Sequence, residues 1–173
     1  SMGSALFKTL YNKDMPKTAL LNIGLEEVKG NENLKKTFAL LKNKDKKNFE
    51  FCGYIEGNQI MDGDIDVVVT DGFTGNIALK TAEGTANFIT KNLKDSINKI
   101  SLLLSYSSLK KFKEKLDPRK YNGAIFLGLQ GPVVKSHGST DSLGFAYSIE
   151  MCNKIVEADL IEQIKAHLIS VDD

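Results

Sequence analysis

Hydrophobic positions fall into short β-branched runs separated by segments with an apolar residue every three or four positions, and the pattern centres on Asp64 to Gly84. Ile65, Val67, Val68 and Val69 predict a strand buried on both faces of a parallel sheet. Asp71-Gly72-Phe73-Thr74-Gly75 breaks the run, and Asn76 opens a segment in which Ile77, Ala78, Thr81, Ala82, Thr85, Phe88 and Ile89 recur at helical spacing. In open α/β sheets such a turn binds ligands, because free N–H groups and the positive end of the helix dipole face the crevice.

Similar units flank this one. Leu6, Phe7, Leu10 and Tyr11 give Ala5 to Asp14 helical spacing. Thr18 to Ile23 reads as a strand, followed by a polar loop and a helix with Leu34, Phe38 and Leu41 on one face. A charged connection, Lys42 to Lys47, leads to a strand at Phe49 to Tyr54 and a loop at Gly53 to Gly63. Ile97 to Leu116 carries Ile100, Leu104, Leu109 and Phe112 among lysines. It reads as a helical hairpin, a dimerisation arm or a helix lying on an anionic membrane surface.

Asp117-Pro118 ends that region. Ala124 to Leu129 predicts a further buried strand, Gly131-Pro132 a turn, and Val133-Val134 a lead into Lys135-Ser136-His137-Gly138-Ser139. Ser139 or Asp141 can cap a last helical region with Phe145, Ile149, Cys152, Val156 and Leu160 on its core face, continued by Ile161, Ile164 and Leu168. Strands alternating with helical patterns predict an α/β fold, a mainly parallel sheet with helices on both faces.

Composition narrows the function classes. A net charge of +1 over 173 residues lacks the basic bias of a nucleic-acid protein. No apolar run approaches the roughly 20 residues that span a bilayer, so a soluble, intracellular protein is expected. Cys52 and Cys152 are isolated and read as small apolar residues. Ser1-Met2-Gly3-Ser4 looks like a remnant of an expression vector and is set apart from the fold.

Three loops, Asn22 to Asn31, Asp71 to Asn76 and Lys135 to Asp141, follow predicted strands and would converge at one edge of a parallel sheet. They offer Lys29, Lys80, Lys135, His137, Asn22, Asn76 and several glycines. Lysine supplies a point charge, glycine admits backbone N–H groups, and an asparagine amide donates to an anionic oxygen, so the set suits phosphate or another oxyanion. Asp71 can instead cap its helix or make an Asx turn. The dinucleotide G-x-G-x-x-G, the P-loop and the G-x-S-x-G elbow are all missing.

Asp66 to Thr81, followed by Tyr121 to Ala124, Leu127-Gly128-Leu129 and Lys135 to Ser139, resembles the PlsX family of bacterial fatty acid/phospholipid synthesis proteins, the acyl-carrier-protein:phosphate acyltransferases. The likeness includes Asn22-Ile23-Gly24 and Lys29-Gly30, whereas Leu25 and Val28 depart from the acidic pattern of that loop. Members are longer, so residues 5–173 would be a carboxyl-terminal half with a helical arm at 97–116.

The resemblance implies a three-layer α/β/α fold similar to phosphate acetyltransferases and isopropylmalate dehydrogenases. It implies transfer of an acyl chain from acyl carrier protein to inorganic phosphate, without metal or organic cofactor. A cytoplasmic homodimer touching the membrane through Ile100, Leu104, Leu109 and Phe112 is also implied. Lys135, His137, Asn76 and Asp71 would be catalytic. Gly72, Gly75, Lys80, Gly138, Ser139, Asn22, Gly24, Lys29 and Gly30 would bind substrate or phosphate. Another enzyme of the same fold, or a non-catalytic assembly and membrane-docking fragment, are the alternatives.

Overall fold

The computed structural model describes residues 1–43, 48–96, 107, 123–138 and 140–172. The expected arm at 97–116 lies outside the described residues except for 107, as does Ser139. Ten elements follow in order: α1 (Met2–Tyr11), β1 (Lys17–Leu21), α2 (Glu32–Lys42), β2 (Glu50–Ile55), β3 (Val67–Val69), α3 (Gly72–Ser96), β4 (Ala124–Ile125), β5 (Val134–Lys135), α4 (Ser142–Glu157) and α5 (Leu160–Asp172). A short 3-10 turn at Gly57–Gln59 interrupts the β2–β3 connection. The result is the expected α/β architecture, a parallel sheet flanked by helices.

The sheet runs β2-β1-β3, all parallel. Thr18, Ala19, Leu20 and Leu21 are all buried, so β1 is the strand enclosed on both faces and by neighbours on both sides. The run at Ile65 to Val69, expected to be doubly buried, lies at the sheet edge instead. With β1 as its one paired neighbour among the described residues, β3 is half-buried, and Val69 is 43% exposed. Ala19, Leu21 and Ile55 form one core cluster, joined by Ile60, Ile65, Val68 and Ala78. On α2, Phe38 meets Phe51 edge-on at 5.5 Å and Tyr54 at 4.6 Å, which seats that helix on β2.

A second cluster, Ala5, Ile155, Leu160 and Ile164, lies between α1, α4 and α5, with Ile125, Leu127 and Val134 against it. Residues 2–4, set apart from the fold, form the first turn of α1. Ser4 is 1% exposed and its hydroxyl lies 3.1 Å from that of Thr18. The stretch Ala124 to Leu129 is a strand only at Ala124–Ile125. It pairs antiparallel with β5, and Phe126 and Leu129 face outward as the chain turns.

The last helical region is two helices, divided at Asp159, which takes φ 50°. The core face of α4 is Gly144, Ser148 and Ile155, while Phe145, Ile149 and Val156 are exposed. Gly123, at φ +121°, lies against this face: a Cβ there would stand 3.0 Å from Val134 Cγ1 and in ordinary contact, 3.6 Å, with the Ser148 backbone. The helically spaced residues of α3 are likewise largely open. Ala78 packs on the sheet cluster, but Ile77, Phe88 and Ile89 are exposed.

Candidate functional site

Leu20 of β1 stands beside Val69 of β3 in the parallel register, so the chain leaves both strands at the same edge of the sheet. The loops beginning at Asn22 and at Thr70 are therefore neighbours, as expected of carboxyl ends in a parallel sheet. The third loop has a different origin. Lys135 ends β5 in a separate antiparallel pair, opposite Ala124, so this loop leaves a different sheet from the other two. His137 is nonetheless within electrostatic reach of α3, where it contributes to the lowered pKa of Glu83.

Asp71 organises the start of α3. One carboxylate oxygen accepts the N–H groups of Phe73 at 3.0 Å and Thr74 at 2.9 Å, and the other accepts the Thr74 hydroxyl at 2.5 Å. These bonds hold its carboxyl below the usual range, the Thr74 hydroxyl contributing most. Asx capping carries the helix back to Gly72, four residues before the expected start at Asn76. The expected free turn is thus helical, and Gly75 donates to the Asp71 carbonyl. Gly75 serves close packing, since a Cβ there would lie 2.7 Å from Thr70 Cγ2, whereas Gly72 faces open space.

Asn76 and Lys80 lie further along α3, both exposed. Lys80 Nζ pairs with Glu83 at 2.7 Å, an i,i+3 contact that lowers the glutamate pKa. In the β1 loop, Lys29 Nζ pairs with Glu26 at 2.9 Å. Lys29 Cδ lies over Gly24, where a Cβ would stand 2.4 Å away. Asn22 is 6% exposed and turned inward. Gly138 is exposed and unobstructed. Glu26 and Glu83 are the residues that apolar periodicity and cation counting passed over. The signals for both were the charge spacings Glu26-x-x-Lys29 and Lys80-x-x-Glu83.

Taken together, the described edge carries Lys29 and Lys80, each paired with a glutamate, beside the amino end of a 25-residue helix that Asp71 caps. No group of three or more His, Cys, Asp or Glu that could hold a metal ion occurs among the described residues. No helix there is long and apolar enough to cross a membrane.

The family described as "Fatty acid synthesis protein" matches residues 1–163, the first four included. A "Phosphate acyltransferase" of Pelagibacter ubique is 60% identical over 172 residues, covering 96% of this chain and 52% of that protein. One from Afipia carboxidovorans is 47% identical over 168 residues, covering 94% of this chain and 48% of its own length. One from Agrobacterium fabrum is 45% identical over 172 residues, with 96% and 49% covered. The chain spans about half the length of the curated relatives it matches.

Proposed function

Since the chain belongs to the fatty acid synthesis protein family, we propose that it is the carboxyl-terminal half of a phosphate acyltransferase. In this reading, residues 5–173 carry one wall of the cleft, and the whole enzyme converts an acyl-carrier-protein thioester and inorganic phosphate into acyl phosphate. The observation that carries it is 60% identity over 172 residues to a protein named phosphate acyltransferase.

The chemistry suits the residues at hand. A phosphate oxygen attacks the thioester carbonyl, the C–S bond breaks, and the carrier thiolate leaves and takes a proton. Phosphate needs little activation near neutral pH, so the protein chiefly holds it against the carbonyl and stabilises the developing oxyanion. Lys29 and Lys80, with the loop around Gly24 and Gly30 and the helix start from Gly72 to Gly75, would meet the phosphate, with Gly138 and Ser139 closing on it. Lys135 would bind charge at the reacting centre, His137 would donate to or exchange a proton with it, and Asn76 and Asp71 would orient it. A homodimer in the cytoplasm, contacting anionic membrane through Ile100, Leu104, Leu109 and Phe112, completes the proposal.

In a full-length enzyme carrying this segment, Lys135→Ala and His137→Ala should each cut acyl phosphate formation by roughly 100-fold or more. Unchanged turnover in both would overturn the assignment of that loop. Half-length coverage favours a second reading, in which the 173-residue chain alone is an assembly module. A folded chain that forms no acyl phosphate from acyl carrier protein and phosphate supports it, and turnover by the chain rejects it.

A further inference from the structure

We propose that Asn22 is a positioning residue for Lys29, acting through the loop backbone without touching the substrate. The proposal rests on the reading that Lys29 meets phosphate. Asn22 leaves the buried end of β1, and its own N–H donates to the Ile55 carbonyl at 3.0 Å, which fixes it to the neighbouring strand. Its side chain is 6% exposed, so it is not itself on offer to a ligand. From that interior position Nδ2 donates to the Lys29 carbonyl at 3.2 Å, closing the loop on itself.

Gly30 completes the clamp. It takes φ +90°, and a Cβ there would lie 2.4 Å from Asn22 Oδ1, so the glycine seats directly on the buried amide. Asn22 Oδ1 has no hydrogen-bond donor among the described residues. A buried amide with an unmatched acceptor is unfavourable where an aliphatic side chain of similar size would fill the space without penalty. What the amide supplies in return is the donor that fixes the Lys29 backbone. The Lys29 stem is meanwhile laid over Gly24, with its ammonium beside Glu26. Asn22, Gly24 and Gly30, grouped by sequence with the binding residues, thus form the mount on which a single cation is carried.

A double-mutant cycle in the full-length enzyme carrying this segment tests it, read as KM for inorganic phosphate. Lys29→Ala and Asn22→Ala should each raise KM roughly tenfold, the effect of losing one interaction worth about 1.4 kcal/mol. Asn22→Leu, of similar size but without the Nδ2 donor, should behave as Asn22→Ala and serves if the alanine variant fails to fold. In the Lys29→Ala background neither Asn22 substitution should raise KM further, because a mount without its cation has nothing to position. Raised KM in Lys29→Ala together with multiplicative or absent Asn22 effects would overturn the positioning role alone. Unchanged KM in Lys29→Ala would overturn the phosphate reading of Lys29 and the proposal with it.

Discussion

Asp71 illustrates how one side chain can satisfy two readings until its partners are counted. Both carboxylate oxygens are engaged by the first turn of α3, so its demonstrated role is capping. Its folded pKa is depressed, chiefly by the Thr74 hydroxyl. Its stabilising effect is therefore complete above the unfolded value of about 3.9 and is lost as pH falls through the folded value. Asparagine caps nearly as well as aspartate but does not titrate. Asp71→Ala should lower the thermal midpoint at neutral pH, and Asp71→Asn should lower it less. The asparagine variant should also lose less stability than wild type between about pH 5 and pH 3. Melting curves followed by circular dichroism check all three, and an acid slope equal to wild type would remove Asp71 from the account of acid lability. In a full-length enzyme, an inactive Asp71→Asn with its cap intact would mark chemistry beyond capping.

At the level of elements, periodicity located the helices, whereas tertiary packing chose their faces. Spacing alone put Phe145, Ile149, Cys152 and Val156 in the core because they are the large apolar residues of α4. The buried side is Gly144, Ser148 and Ile155, with Gly123 packed against Ser148, a contact between positions far apart in sequence that no local pattern encodes. The same limit applied to the strands. β1 and β2 were legible as compact runs, but which strand is central depends on pairing, and among the described residues β3 has only β1 beside it. At the site, adjacency of the β1 and β3 loops was legible once the sheet was parallel. The antiparallel β4–β5 pair was not, because two-residue strands leave no alternation to read. The faces of α4 can be tested directly. Ser148→Leu should cost about 1–3 kcal/mol by overpacking, while Ile149→Ser should stay within about 0.5 kcal/mol in urea unfolding. The reverse ranking would restore the face that spacing suggested.

For the molecule as a whole, the parallel sheet and the α4–α5 region have separate core clusters, and α1 is the element that touches both. Ser4 meets Thr18 on the sheet side, while Ala5, its neighbour along the helix, is buried with Ile155, Leu160 and Ile164 on the other. Consecutive residues thus serve two cores, because side chains one position apart on a helix point about 100° from each other. Stability of a two-cluster protein depends on such a bridge: where it is weak, the parts open separately instead of together. Deleting residues 1–4 removes the first turn of a ten-residue helix and the buried Ser4 contact. The deletion should lower the melting midpoint and reduce hydrogen-exchange protection in β1 and in α5 alike, although neither strand nor helix is altered in sequence. Ala5→Asp, which buries an unpaired charge between α1 and α5, should lower protection first in α5 and then in β1. Protection lost within α1 alone, in both variants, would mean that the two clusters are coupled by some other path and that α1 merely leans on them.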